Sequence, residues 1–273
     1  MLTSATQFVK SPSVNCRFSM PSRSEIVFGV NPVQEKLRAA SKEISEILLA
    51  EKGDRAALRF IESEALRLGV RVSRAPAHLL DRLAASQRHQ GVIAKVEVFQ
   101  YLSFDEFLEL ISTGLISERI LILDGVTDPR NLGALLRTAE AVGIRHIIVP
   151  KHRSAEVSPV VAKASSGAAF HLNIVKATNM RRAMSELKKR DYWIVGLDAE
   201  AVNTIYDKTY PDRLGIVLGS EGKGIRQINL RECDFVVSIP MLGKVTSLNV
   251  AVAGGIFLYE VLRQKQAGLR RPV

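Results

Sequence analysis

Three short segments of the sequence combine glycines with polar side chains of types that bind or activate ligands. The first pairs Asn131 with Arg137, the second carries Glu221, and the third carries Ser247 and Asn249. An arginine near the start of a helix is typical of an anion site, because free backbone N–H groups and a guanidinium both favour negative charge. The alternative is that Asn131 only caps the helix and Arg137 is a solvated surface residue. The first segment alone leaves both interpretations open.

The segment around Glu221 predicts a binding loop lined by backbone. Gly219, Gly222 and Gly224 let the chain approach a ligand closely. The spacing is not that of a Walker phosphate loop, because a glycine stands where Ser or Thr must hold magnesium. A plain tight turn is the alternative, although a turn does not require a carboxylate at Glu221.

Ser247 and Asn249 stand where the last predicted helix begins, at about Leu248. That helix, which the pattern extends to Arg263, is apolar on nearly every side, and this predicts burial. The two polar side chains either cap the helix or, together with free backbone N–H groups, hold a small molecule.

All of these segments lie in an alternating pattern of apolar strands and helices. The predicted strands are 120–123, 146–149, 193–197, 215–218 and 235–239, and the helices between them are 132–142, 159–164 and 180–190. Continuous apolar strands that alternate with helices favour a parallel sheet covered on both faces. Ligands of such α/β sheets bind beyond the carboxyl ends of the strands, where the three segments fall.

The rest of the chain predicts a second, smaller α/β domain over residues 25–98. A linker with one short helix follows over 99–118, and the main domain covers 119–273. Residues 1–24 are rich in Ser, Thr and Pro and predict a disordered leader. We expect Met20 to be the true initiator, with an organellar transit peptide as the weaker alternative.

Composition narrows the class of protein. Of the 273 residues, 47% are hydrophobic and 24% are charged, as in ordinary globular domains. No apolar run reaches the roughly 20 residues of a membrane helix, and two cysteines predict neither a disulfide framework nor a zinc site. We therefore expect a cytoplasmic protein that has no membrane contact.

The charge is concentrated in one part of the chain. The net charge is +10, of which residues 119–273 carry +9, whereas residues 25–118 carry −2. A strongly basic chain indicates a nucleic-acid partner. We expect the C-terminal part to supply most of the non-specific RNA affinity and residues 25–98 to supply selectivity.

The three segments, in this order and spacing, resemble the motifs of the SpoU family. The match is carried by Asn131-x-Gly133-x-x-x-Arg137, Leu218-Gly219-x-Glu221-Gly222-x-Gly224, and Ile239-Pro240-Met241 through Ser247-Leu248-Asn249-Val250. These proteins are RNA ribose 2′-O-methyltransferases of the SPOUT superfamily, and the resemblance covers residues 119–263. The segment 164–168 matches as well. The first unit is similar to the family's ribosomal-protein-like RNA-binding domain, most closely in enzymes that act on a guanosine of 23S rRNA.

This resemblance implies a fold, a co-substrate and partners. The fold would be an α/β parallel-sheet SPOUT domain with a deep trefoil knot, in a homodimer whose sites lie near the subunit interface. The co-substrate would be S-adenosylmethionine, with no metal. Its binding residues would be Leu197, Gly219, Ile239 and Leu248. RNA would contact Asn31, Arg88, His89 and Gln90.

The implied reaction moves a methyl group to a ribose 2′-hydroxyl. The family assigns a central role to Arg137, which we interpret as a phosphate clamp that stabilises the developing alkoxide, because a guanidinium is almost never neutral. Glu221 would accept the proton or orient Arg137, while Asn131, Ser247 and Asn249 would position the ribose and the methyl donor.

The sequence leaves two other functions open and disfavours a third. The chain could be a transfer-RNA 2′-O-methyltransferase, or a non-catalytic ribosome assembly factor of the same fold. A nucleotide-dependent oxidoreductase is disfavoured, because the glycine fingerprint of dinucleotide-binding sheets is missing.

Overall fold

The computed structural model describes residues 24–52, 55–85, 87–114, 116 and 119–269. The predicted leader, apart from Ser24, and the expected initiator Met20 lie outside the described residues. The described chain forms two sheets, each with its own core.

The N-terminal sheet has four strands, in the order β1-β4-β2-β3, of which β2 and β3 are parallel and the other neighbours antiparallel. Its elements are β1 (Ser24–Phe28), α1 (Val30–Ala40), β2 (Ile44–Ala50), α2 (Ala56–Arg67), β3 (Val72–Ala75), α3 (Ala77–Leu83) and β4 (Val92–Glu97). Val33, Ile47 and Ile61 are fully buried between this sheet and helices α1 and α2.

The larger sheet has seven parallel strands, in the order β11-β9-β10-β6-β7-β8-β5. They are β5 (Leu102–Ser103), β6 (Ile120–Asp124), β7 (His146–Pro150), β8 (Asn173–Ala177), β9 (Trp193–Leu197), β10 (Leu214–Gly219) and β11 (Phe235–Val237). Side chains of β6 alternate between two cores, with Leu121 and Leu123 on one face and Ile120 and Ile122 on the other. The predicted parallel sheet with two covered faces is confirmed.

Helices cover the two faces of this sheet. They are α4 (Phe104–Ser112), α5 (Pro129–Ala141), α6 (Pro159–Ala164), α7 (Met180–Lys188), α8 (Gln227–Leu230) and α9 (Val250–Leu269). Helices α5, α6 and α9 share one core, and α4 and α7 share the other. Where a Cβ on Gly254 of α9 would be, the nearest atoms are Leu135 Cδ2 at 2.5 Å and Leu218 Cδ1 at 2.7 Å. A glycine at this position therefore lets α9 pack closely on the face of the sheet.

The predicted linker 99–118 differs from the expectation. Leu102 and Ser103 form β5, which pairs with β8, and Phe107 and Ile111 of α4 are buried in a core of the larger sheet. This segment is therefore an integral part of the second unit. Strand β8 was not predicted, because Asn173 and Lys176 leave too short an apolar run.

The last helix is also different from its prediction. Phe257 and Leu258 of α9 are fully buried, but Val252 is 52% and Tyr259 is 55% exposed. The prediction of burial on every side is therefore wrong for this chain, and α9 presents an apolar face outward. None of the helices in the described ranges is long and apolar enough to span a bilayer.

The two units pack directly against each other through α1 and the segment that follows α6. Lys36 of α1 lies 4.8 Å from the ring centroid of Phe170, and Glu35 accepts a 2.9 Å contact from His171. A Cβ on Gly167 would lie 2.5 Å from that of Glu35, so only glycine permits this approach. The segment 164–168 therefore forms part of the contact between the units.

Candidate functional site

Loops at the carboxyl edge of the seven-stranded sheet surround a cavity of about 330 Å³. The loops follow β9, β10 and β11, and the last of them leads into α9. All four residues predicted to bind S-adenosylmethionine line this cavity, together with Glu221 and Ser247. The remaining lining residues are Asp198, Ala199, Glu200, Leu218, Ser220, Gly222, Lys223, Gly224, Ile225, Gln227, Met241, Thr246, Val250 and Ala253.

One wall of this cavity is backbone folded onto itself. Ser220 and Gly224 exchange two hydrogen bonds between N–H and C=O groups, at 3.0 and 3.1 Å. A Cβ on Gly219 would lie 2.0 Å from the carbonyl carbon of Gly224, and both Gly222 and Gly224 have positive φ. Only glycines therefore permit this loop, and at Gly219 the close approach is to the loop's own backbone.

Three predicted site residues, from the start of α5, the loop after β10 and the start of α9, are joined in one polar chain. Asn131 Nδ2 donates to Glu221 Oε1 at 2.8 Å, and Asn249 Nδ2 donates to Asn131 Oδ1 at 3.0 Å. Asn249 Oδ1 in turn accepts from the N–H of Ala251 at 2.9 Å and so caps α9. Asn131 therefore fixes the loop after β10 against the start of α9.

Glu221 is held on both of its oxygens. Besides Asn131, it accepts from the N–H of Asp128 at 3.4 Å and from the N–H of Thr127 at 3.3 Å. Partial burial raises the pKa of Glu221, but hydrogen bonds from Asn131 and from backbone N–H groups outweigh burial and hold the pKa below its usual value. A carboxylate in this state is a weak base, and its contacts are those of a residue that positions a loop.

Asn131 is not the cap of its helix. Helix α5 begins at Pro129, and Asp128 is the N-cap, accepting from the N–H groups of Arg130 and Asn131 at 2.6 and 3.2 Å. The capping alternative for Asn131 is therefore wrong, and its side chain is free to join the two loops. Gly133 serves packing, because a Cβ there would lie 2.4 Å from that of Ala164 in α6.

Arg137 lies apart from this polar chain. Its side chain is exposed and forms no hydrogen bond or ion pair with another residue of the described chain. Glu221 was expected to accept the proton or to orient Arg137, but in the described chain its hydrogen bonds go to Thr127, Asp128 and Asn131. Ser247 is exposed at the mouth of the cavity.

Sequence reasoning missed two groups of acidic residues at this edge. Asp124 is buried at the end of β6 and accepts from Arg226, from its N–H at 2.9 Å and its Nε at 2.8 Å. This ion pair fixes the far end of the loop after β10. Asp198 and Glu200 follow β9 and line the cavity. The sequence signal that could have identified Asp198 and Glu200 is their position just after a buried parallel strand.

The predicted RNA-binding residues of the first unit divide into two kinds. Asn31 and Arg88 are exposed, and the carbonyl of Arg88 accepts from Lys163 of the second unit. His89 instead contacts Asp81 at 3.0 Å, and Gln90 Oε1 accepts from the N–H of Val30 at 3.1 Å. These last two side chains hold their own loop in place.

The comparisons with known proteins agree with this geometry. The model of the SpoU rRNA Methylase family matches residues 118–259, and a model described as RNA 2′-O ribose methyltransferase substrate binding matches residues 26–102. The chain belongs to the SpoU rRNA methylase family.

Relatives that match nearly the whole chain include two enzymes of one name. The 23S rRNA (guanosine-2′-O-)-methyltransferase RlmB of Pseudomonas putida is 41% identical over 90% of this chain and 98% of its own. That of Pasteurella multocida is 38% identical over 89% and 100%. Among solved structures, the SpoU methyltransferase AviRb from Streptomyces viridochromogenes, in complex with AdoMet, is 26% identical, with a TM-score of 0.73 over 89% of this chain and 91% of that one.

The cavity fits a methyl donor of this kind. S-adenosylmethionine carries a sulfonium and an ammonium group, and Asp198, Glu200 and Glu221 place acidic side chains around the cavity. Apolar side chains such as Leu197 and Ile239 and the glycine-lined backbone suit its adenosine part. No group of three His, Cys, Asp or Glu side chains in the described part of the chain is placed to hold a metal ion.

Proposed function

We propose that this chain transfers a methyl group from S-adenosylmethionine to the ribose 2′-hydroxyl of a guanosine in 23S rRNA. The observation that carries the proposal is the polar chain from Glu221 through Asn131 to Asn249, which lies beside the glycine-lined cavity. The names of the full-length relatives support the target.

The proposed roles follow from these contacts. S-adenosylmethionine supplies an electrophilic methyl group when it is bound. Leu197, Gly219, Ile239 and Leu248 line its cavity, and we propose that Ser247, exposed at the mouth, contacts the ribose or the donor.

The acidic and amide residues position these loops. Glu221 is assigned as a positioning residue, because its hydrogen bonds and lowered pKa make it a poor base. Asn131 and Asn249 keep the loops aligned, so that donor and acceptor meet in one geometry.

Arg137 is proposed to meet the RNA. An exposed guanidinium with no partner among the described residues is available to a phosphate and to the negative charge that develops on the ribose oxygen. It requires no folding contact of its own, which is consistent with a residue whose partner is the substrate.

We also propose a homodimer and a trefoil knot, as in the family. The outward apolar face of α9, with Val252, Ile256 and Tyr259 exposed, supports a subunit interface beside the site. The acting compartment would be the bacterial cytoplasm, where ribosomal RNA is made. Within this assembly, Asn31 and Arg88 are proposed to contact RNA, with His89 and Gln90 shaping their loop.

The test is methyl transfer from labelled S-adenosylmethionine to transcribed, unmodified 23S rRNA, with ribose methylation mapped in RNA from a deletion strain. The proposal expects one guanosine of 23S rRNA to lose its 2′-O-methyl group in the deletion strain and to regain it in vitro. Methylation of transfer RNA instead would favour the other enzyme of the same family. A defect in ribosome assembly that an inactive Arg137→Ala protein rescues would favour the assembly factor.

A further inference from the structure

A short basic loop, residues 151–154, lies at the same edge of the sheet as the cavity. Lys151, His152 and Arg153 follow β7 directly, and all three side chains are exposed. None of the three side chains has a hydrogen-bond or ion-pair partner among the residues that the structure describes. Among the described residues, the fold therefore makes no use of the charges of Lys151 and Arg153.

The backbone of the basic loop is held in one conformation. The N–H of Lys151 donates to the carbonyl of Ala177 at 2.9 Å, and Ser154 Oγ donates to the carbonyl of Pro150 at 2.7 Å. Arg153 has φ 59, in the left-handed region that non-glycine residues rarely adopt. Such strain persists where the surroundings impose it, and it is frequent at functional sites. The loop thus presents its cations from a fixed backbone.

The basic loop lies between the cavity and the first unit. A Cβ on Gly125 would lie 3.6 Å from the carbonyl of Arg153 and 3.9 Å from Cβ of Ser220, which lines the cavity. At its other end, the chain continues to Val157, which borders a crevice shared with Ile26 of β1. A chain-like substrate that touches both the site and the first unit can run along this loop.

Charge divides this edge of the sheet into two halves. Asp198 and Glu200 follow β9, whereas the basic loop follows β7, which is separated from β9 by two strands, β10 and β6. Glu156, the nearest acid after the loop, is already paired with Lys176 at 2.9 Å. The acidic half suits a cationic methyl donor, and the basic half suits a polyanion.

We propose that the basic loop binds the RNA backbone beside the target nucleotide, with Lys151 and Arg153 holding phosphates on the path toward the first unit. This inference rests on the proposed function, in which the substrate is RNA. Phosphate contacts fix the register of a nucleic acid without reading its sequence. The loop therefore supplies position and affinity, and selectivity comes from other residues.

The experiment compares the full-length protein with a Lys151→Ala, Arg153→Asn double variant. Asparagine is chosen because it tolerates the left-handed conformation at Arg153. The matched control is Arg145→Asn, because Arg145 is exposed and lies just before β7, at the opposite end of the same strand. Affinity is measured across a salt series on transcribed 23S rRNA and on a short single-stranded RNA.

The double variant is expected to lower the slope of log affinity against log salt by about 1.4, since each phosphate contact on a single strand contributes about 0.7. Affinity for S-adenosylmethionine should be unchanged, and the Arg145→Asn slope should equal that of the wild type. An unchanged slope for the double variant on both RNAs overturns the proposal, as does an equal loss in the control. A wild type that binds RNA but does not methylate 23S rRNA contradicts the proposed function, and the slopes still decide the role of the loop.

Discussion

Asn131 and Glu221, ninety positions apart in the chain, are joined by a 2.8 Å hydrogen bond from the amide Nδ2 to the carboxylate. The same amide group accepts from Asn249. The start of α5, the loop after β10 and the start of α9 therefore depend on one side chain for their relative positions.

Replacing Asn131 with alanine should raise the pKa of Glu221, because the largest of the hydrogen bonds that hold it down is lost. The contacts of ionised Glu221 order the loop, and they are lost as the pH falls through the folded pKa of Glu221. Because this pKa is higher in Asn131→Ala, activity should be lost at a higher pH in the variant than in the wild type. The measurement is kcat/KM against pH. Thr127→Val removes only a 3.5 Å contact from Thr127 Oγ1 to Glu221 and should shift the limb less. Equal profiles for wild type and Asn131→Ala would contradict this role.

Arg137→Ala should reduce methyl transfer by at least about 10²-fold, the scale of one transition-state donor. Because the side chain is exposed and has no partner in the described chain, the melting temperature should stay unchanged. Binding of S-adenosylmethionine, followed by calorimetry, should also survive. Arg137→Lys should be poor as well, since an ammonium group lacks the planar fork. Near-normal turnover on bound RNA would remove Arg137 from the mechanism.

Asp124→Asn should weaken S-adenosylmethionine binding by about tenfold or more. The Asp124 carboxylate is buried and accepts hydrogen bonds from the backbone N–H and the guanidinium of Arg226. Each hydrogen bond to a charged group contributes about 1.5–3 kcal/mol. Without this anchor, the loop from Gly219 to Gly224 loses its far support. Binding is measured by calorimetry, with Asp212→Asn as a control at an exposed carboxylate. Equal donor affinity in Asp124→Asn and wild type would show that the loop holds itself.

Gly167→Ala should separate the two units without disturbing the donor cavity. The new Cβ would lie 2.5 Å from Cβ of Glu35 and 3.2 Å from Cα of Pro32, so α1 must move. We expect a lower melting temperature and a higher KM for RNA, with donor affinity intact. Gly143→Ala is the control, because φ is +81 there and no atom lies within 4 Å, so it carries only the backbone penalty. If both variants behave alike, the contact between the units has no part in RNA binding.

His146 should make the fold sensitive to acid. Burial, and then the charge of Arg145, lower the pKa of His146 to about 4. The imidazole of His146 takes up a proton near pH 6.5 in the unfolded chain but only near pH 4 in the folded chain. As the pH is lowered from 6.5 to 4, the unfolded state is therefore favoured, and the free energy of unfolding decreases by at most about 3 kcal/mol. His146→Gln should flatten this part of the curve in denaturant titrations at several pH values. The exposed His78→Gln should leave it unchanged. A slope that persists in His146→Gln would assign the effect to other groups.

The sequence predicted the elements of this fold whose apolar residues recur at regular spacing. Leu132, Leu135 and Leu136 mark the buried face of α5 by spacing alone, and all three are buried. Apolar residues on α9 look alike in sequence, whether they face the core as Phe257 does or the outside as Tyr259 does. Periodicity reports which residues are apolar, and the partner surface decides which are covered.

The sequence indicated which loops surround the cavity but not how they are connected. Glycines and amides at strand ends indicated three loops, yet no local pattern links Asp124 to Arg226 or Asn131 to Glu221. These pairs form because parallel strands bring distant loops to one edge of the sheet. The roles of Glu221 and Asn131 followed only once their partners were known.

The self-contacting loop from Gly219 to Gly224 has a consequence for how this protein tolerates variation. One wall of the cavity is main chain, which a substitution of neighbouring side chains leaves in place. A mutational scan that truncates side chains to alanine would therefore score Lys223 as permissive. A scan that enlarges glycines would identify the same stretch as intolerant, because a single methyl group on Gly219 would meet the carbonyl carbon of Gly224 at 2.0 Å.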